Sequence, residues 1–176
     1  MTGPEPPSDN RPATPGEGAR LRLMTPADLE AVLGVEAVSH PDPWSATMLR
    51  DSLEHGDACR VAEQGGAILG HAILRVTGPE AEILNLCVHP DYRNHRLGRA
   101  LLQDLVEFAR QAGAEEIFLE VRESNGHARR LYDGEAFHEV GWRERYYRGP
   151  EGWEDAVIMA RHLGPAGGRS PAGGDR

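Results

Sequence analysis

Arg93, His95, Arg96 and Arg99 crowd around Gly98, between an apolar stretch at 83–88 and a helical pattern that begins near residue 97. Those residue types suit a phosphate. Guanidinium groups grip phosphate oxygens in pairs, glycine lets a ligand approach the backbone closely, and the first turn of a helix offers free N–H groups at its positive end. Arg93, Asn94, His95, Arg96, Leu97, Gly98 and Arg99 are therefore the candidate phosphate-holding segment. A second group is Glu120, a carboxylate inside the apolar run 117–121. Side chains alternate along a strand, so Glu120 points away from Leu119 and Val121. It reads either as a solvated side chain paired with an arginine or as an acid–base group. Tyr132, beside Leu131 in a helical stretch, reads on its own as helix packing.

The elements that must position these groups follow from periodicity and breakers. Residues 20–24 alternate like a first strand, and Thr25-Pro26 supplies a cap and a first-turn proline for a helix to about residue 38. Pro43-Trp44-Ser45 opens a second helix, capped by Ser45, with Met48, Leu49 and Leu53 on one face. Strands at 58–62 and 67–76 flank the turn Gln64-Gly65-Gly66 as a hairpin. A strand at 82–88 ends before Pro90, which cannot donate to a sheet ladder. The helix at 97–112 carries Leu97, Leu101, Leu102, Leu105, Val106 and Ala109 at spacings of three and four, and Gly113 closes it. A strand at 117–121, a helix at 125–134 capped by Ser124 or Asn125, and strands at 137–148 and 154–161 complete the order. Strands interleaved with helices, with hairpins at both ends, imply a mixed sheet in an α/β fold. The folded domain spans 20–162, between tails at 1–19 and 163–176 that read as disordered from their Pro, Gly and Ser content.

Composition narrows the function. In 176 residues no apolar stretch nears the roughly 20 needed to cross a bilayer, and no secretion signal opens the chain. A net charge of −9 opposes general nucleic-acid binding and favours cationic acceptors. All 19 Lys/Arg positions are arginine, which excludes a lysine Schiff base and a lysine phosphate loop. Cys59 and Cys87 form no disulfide framework and suit a reducing cytoplasm; Cys87, in an apolar strand, reads as structural rather than nucleophilic. The eight histidines lack ligand spacing, so no metal site is expected. Trp44, Tyr146 and Tyr147 read as core packing or as a peptide groove. Glu151, Glu154 and Asp155 read as a solvated turn or as a lure for a cationic amino terminus.

Val88-His89-Pro90-Asp91-Tyr92-Arg93, with Leu97-Gly98 and Ala100-Leu101-Leu102, resembles the acetyl-CoA-binding motif of the GCN5-related N-acetyltransferase superfamily. Leu119-Glu120-Val121-Arg122, Ser124-Asn125, Ala128, Leu131-Tyr132 and Phe137 resemble its RimI branch, the ribosomal-protein alanine N-acetyltransferases. Pro43-Trp44-Ser45, Tyr146-Tyr147 and Glu154-Asp155-Ala156 with Met159 fit that branch, so the likeness covers about 20–161. The resemblance implies the acyl-CoA N-acyltransferase fold, with a mixed, mostly antiparallel central sheet flanked by helices. It also implies acetyl transfer from acetyl-CoA to the α-amino group of a protein, the amino-terminal alanine of small-subunit ribosomal protein eighteen. By the same resemblance Leu86, Cys87 and Val88 hold the pantetheine arm, Asn94 to Arg99 hold the pyrophosphate, and Asn125 contacts the cofactor. Glu120 then acts as base and Tyr132 as acid. A small-molecule amine acetyltransferase and a non-catalytic acyl-CoA-binding protein are the competing expectations. Two positions depart from the family pattern: Arg96 stands where a first glycine belongs, and Ala136 stands where a glycine precedes Phe137. If either needs positive φ, the side chain costs about 1–2 kcal/mol.

Overall fold

The computed structural model describes residues 18–94 and 96–165, so the expectations for 1–17, 166–176 and His95 lie outside the described residues. Its strands are β1 (Arg20–Leu23), β2 (Ala58–Gln64), β3 (Ala67–Thr77), β4 (Glu80–Val88), β5 (Glu116–Arg122), β6 (His138–Gly149) and β7 (Gly152–His162). They form one sheet in the order β1-β2-β3-β4-β5-β7-β6. Every neighbouring pair is antiparallel except β4 and β5, which run parallel. The helices are α1 (Leu29–Ser39), α2 (Ala46–His55), α3 (Leu97–Gln111) and α4 (Gly126–Gly134). This is the mixed, mostly antiparallel sheet with flanking helices expected above.

The local signals act as read, with one difference. Ser45 Oγ accepts the Met48 N–H at 3.2 Å, and Asn125, rather than Ser124, caps α4 by accepting the Ala128 N–H at 3.1 Å. Thr25-Pro26 opens a separate 3-10 turn, Pro26–Asp28, ahead of α1 instead of one continuous helix. The cause is Asp28. Its carboxylate turns back to accept the Thr25 N–H at 2.8 Å and is gripped by both Arg22 terminal nitrogens, also at 2.8 Å.

All six apolar positions read on α3 are buried, against Ala72, Leu74, Ile83, Ile117, Leu119 and Phe137. Burying each larger side chain contributes roughly 1.5–3 kcal/mol, so α3 anchors one face. Val32 of α1 and Leu49 of α2 pack with Cys59, Val61 and Ile73 on a second cluster. Ala19 and Leu163 also pack against the core, and the Leu163 N–H donates to Glu115 at 2.7 Å, so order reaches just past 20–162.

One irregularity matters for everything after it. Along β4, Ile83 pairs with Leu74 and Asn85 with Ile73, leaving Leu84 as a bulge. A bulge adds one residue and flips the alternation beyond it. Ala81 and Ile83 therefore belong to the α3-side core together with Leu86 and Val88, while Leu84 packs in the α1-side cluster and Asn85 bonds Glu36 of α1. The β4–β5 pairing spans only Glu80 to Ile83 against Glu116 to Leu119 and stops at this bulge.

Candidate active site

Where β4 and β5 part, a cavity of about 690 Å³ opens. Leu86, Cys87 and Val88 of β4, Glu120 and Arg122 of β5 and Tyr132 of α4 all line it. The His89 N–H donates to Leu69 of β3 at 2.8 Å. By antiparallel alternation, the N–H groups of Leu86 and Val88 then face away from β3, toward the gap. An extended acyl chain laid along β4 meets an unpaired strand edge there.

Arg93, Asn94, Leu97, Gly98 and Asn125 of the expected cofactor residues also line the cavity. Gly98 has ordinary backbone geometry. A Cβ on it would meet Leu131 at 3.4 Å and Val88 at 3.7 Å, and it would project among the residues that line the cavity. Its value is the open approach it leaves at the first turn of α3. Arg96 and Arg99 are not brought to the cavity wall. Arg99 Nε lies 3.1 Å from Glu135, and Arg96 sits at the N-cap of α3 with φ 63°. Arg93 ties the loop to its surroundings, donating to Val88 O at 3.3 Å and Ser39 O at 3.4 Å. Both departures noted in the sequence occupy left-handed backbone: Arg96 at φ 63° and Ala136 at φ 62°.

Glu120 has a mostly buried side chain, 17 % exposed, and is held by an ion pair to Arg143 of β6. Tyr146 also hydrogen-bonds it, which raises the Tyr146 pKa. Glu120 is thus paired with an arginine, as one reading expected, and it also lines the cavity. The sequence did not reveal Arg143, because a bulge between Arg143 and Tyr147 scrambles the alternation of β6. Burial pushes the Tyr132 hydroxyl well above the usual tyrosine range, so it stays protonated at neutral pH. Burial likewise pushes the Cys87 thiol up to about 12 and Cys59 to about 11, which leaves almost no thiolate at pH 7. Tyr147 is raised to about 12 by burial and lies under the Arg122 guanidinium at 4.4 Å. Glu154 holds the β5–α4 turn through the Ser124 N–H at 2.6 Å, and Asp155 of β7 accepts the Arg145 N–H at 2.8 Å at the irregular stretch of β6.

A further wall comes from Ser39 at the end of α1 and from His40, Pro41, Asp42, Pro43 and Trp44 of the segment joining α1 to α2. Burial holds the His40 imidazole below its ordinary value and therefore neutral at pH 7. Behind this wall lies a polar cluster that the sequence reading missed: Glu36, His71 and Asn85, all buried. A signal existed, since Leu29, Val32, Leu33 and Glu36 share one helical stripe, and His71 interrupts an apolar strand.

The family model for the acetyltransferase (GNAT) family matches residues 28–137. The [ribosomal protein bS18]-alanine N-acetyltransferase of Escherichia coli K12 is 37% identical over 140 residues, covering 80% of this chain and 95% of that protein. A putative enzyme of the same name from Bacillus subtilis 168 is 33% identical over 143 residues, covering 80% and 93%. The crystal structure of the ribosomal-protein-S18-alanine N-acetyltransferase from Escherichia coli superimposes with a TM-score of 0.80 at 34% identity, covering 85% of this chain and 96% of that one.

Proposed function

The chain belongs to the acetyltransferase (GNAT) family, whose members use acetyl-CoA, and we propose that it acetylates the amino-terminal alanine of ribosomal protein bS18. The acyl-transfer reading is supported above all by the parting of β4 from β5, with Glu120 and Tyr132 both on the cavity it opens. The substrate is supported by the relatives that match nearly their whole length.

Acetyl-CoA supplies an activated thioester. In this reading its pantetheine arm lies along the free edge of β4 at Leu86 to Val88, and its diphosphate lies at the turn from Arg93 to Gly98. An α-amino group has a pKa near 7.7–8.0, so removing its proton at pH 7 costs only about 1 kcal/mol. Glu120 accepts that proton, directly or through water, and releases Arg143, which is more than half exposed and easily resolvated. The amine nitrogen attacks the thioester carbon, a C–N bond forms, the C–S bond breaks, and the second proton lost by the nitrogen passes through water to the thiolate, so that CoA leaves as the thiol. A backbone N–H of β4 facing the gap meets the developing oxyanion. Tyr132 donates a hydrogen bond to the departing sulfur. Full transfer of its proton runs uphill, because a thiol of pKa about 8.5 is the stronger acid even against an ordinary tyrosine near 10. Acetylated protein and CoA are the products.

The net charge of −9 favours a cationic amino terminus over nucleic acid as partner, and two free cysteines suit the cytoplasm. Among the described residues no helix is long and apolar enough to cross a membrane. The test incubates a bS18 amino-terminal peptide with enzyme and acetyl-CoA and reads its mass. One added acetyl group on the α-amine is expected. Acetylation of small amines alone, or acetyl-CoA binding with no transfer, overturns the reading.

A further inference from the structure

The segment between α1 and α2 forms one wall of the cavity, yet it is poor in means to hold its own shape. Of its six residues, His40 to Ser45, Pro41 and Pro43 carry no N–H, which leaves His40, Asp42, Trp44 and Ser45 as backbone donors. Two of those four go to a single residue. The His40 N–H donates to the Glu36 carbonyl at 3.1 Å, and the Trp44 N–H donates to the Glu36 carboxylate at 2.9 Å. Glu36 therefore brackets the segment at both ends.

The same carboxylate reaches the reacting strand. Asn85 of β4, which lines the cavity just past the bulge, donates to Glu36 Oε1 at 2.6 Å. His71 of β3 places Nε2 at 2.8 Å from that oxygen, off the line of a ring N–H bond, and both residues are fully buried. Burial alone would push the Glu36 carboxyl up, but His71 and the Trp44 N–H outweigh it and hold the group ionised. A carboxylate taken wholly out of water persists only with such a set of partners. The Cys87 thiol also falls within 4.8 Å of the Glu36 and His71 ligand atoms. The Trp44 and Asn85 N–H groups engage both carboxylate oxygens, so Glu36 acts as a hydrogen-bond hub.

We propose that Glu36 is the positioning residue of the acceptor wall: it locks the segment from His40 to Trp44 to β4 so that the incoming amine meets a preformed surface. The idea rests on the acyl-transfer reading for its kinetic consequence, though not for its structural one. A locked wall lowers the ordering cost of binding the acceptor and leaves the cofactor edge of β4 untouched.

Hydrogen exchange and steady-state kinetics test it together. In the unaltered enzyme the Trp44 amide should exchange at least a hundredfold more slowly than an unprotected loop amide. Exchange at the free-loop rate overturns the proposal without any variant. Glu36→Gln places an amide N–H₂ against one of the donors. It should release Trp44 protection, raise the KM for acceptor peptide at least tenfold and leave the KM for acetyl-CoA within twofold. Equal rises in both KM values, or Trp44 protection unchanged in Glu36→Gln, overturn it. A metal chelator should leave Trp44 protection unaltered, and its loss on chelation would replace the hub with a metal site. If the unaltered enzyme transfers no acetyl group, the function proposed above fails while the exchange measurement still decides the role of Glu36.

Discussion

Tyr132 and Cys87 are both among the residues lining the cavity, and burial raises the pKa of each, with opposite consequences for chemistry. A phenol that cannot ionise remains a good hydrogen-bond donor, whereas a thiol that cannot ionise is a poor nucleophile. Tyr132→Phe should therefore lower kcat by more than about tenfold, the scale of one lost donor at a developing charge, while acetyl-CoA still binds. Isothermal titration beside steady-state rates separates the two effects, and an unchanged kcat removes Tyr132 from the mechanism. Cys87→Ala should leave kcat within about twofold, and intact-protein mass spectrometry under turnover should show no acetyl group on the unaltered enzyme. A covalent acyl-enzyme at Cys87 would instead establish a two-step route.

At the scale of the elements, two turns carry backbone that their residues tolerate poorly. Arg96 and Ala136 sit at φ 63° and 62°, each costing about 1–2 kcal/mol relative to glycine, offset in part by the looser unfolded chain glycine gives. Ala136→Gly should then raise Tm by about 1–4 °C, since a kcal/mol is worth 2–4 °C in a chain of this size. Arg96→Gly should gain as much in Tm and leave coenzyme A affinity within about twofold, because Arg96 does not line the cavity. A clear loss of affinity would show that Arg96 also holds the cofactor. The helix behind that cap was legible because its six apolar positions repeat on one face, and the caps at Ser45 and Asn125 were legible because their side chains act locally. What was not legible depends on partners far along the chain. The run at 83–88 has no period that reveals a bulge at Leu84, so neither the parting of β4 from β5 nor the turning of Asn85 toward Glu36 could be read from it. Glu120 stood out as a charge in an apolar strand, but its tie to Arg143 spans 23 positions and crosses an irregular hairpin.

For the molecule as a whole, the acid side of the stability curve is set by carboxylates that folding holds ionised. Arg22 joins the Asp28 turn ahead of α1 to Glu63 of β2, and thereby clamps the first edge of the sheet to the helical layer. The hydrogen bonds from Arg22 overcome burial and lower the Asp28 pKa from 3.8 to about 2; Glu36 and Glu154 are lowered as well. A depressed carboxylate contributes its stability fully above the unfolded value, near 3.9–4.3, and loses it as pH falls through the folded value. Urea midpoints should therefore stay level from pH 7 to 5 and drop steadily from about pH 4 toward 2. Asp28→Asn should cost about 1–2 kcal/mol at pH 7 after solvent screening, and should flatten part of that drop. The residual slope then belongs to Glu36 and Glu154, with relief of the self-repulsion behind a net charge of −9 working in the opposite sense. An Asp28→Asn variant whose midpoints fall with pH as steeply as those of the parent would mean that the Arg22 clamp contributes nothing to the fold's acid limit.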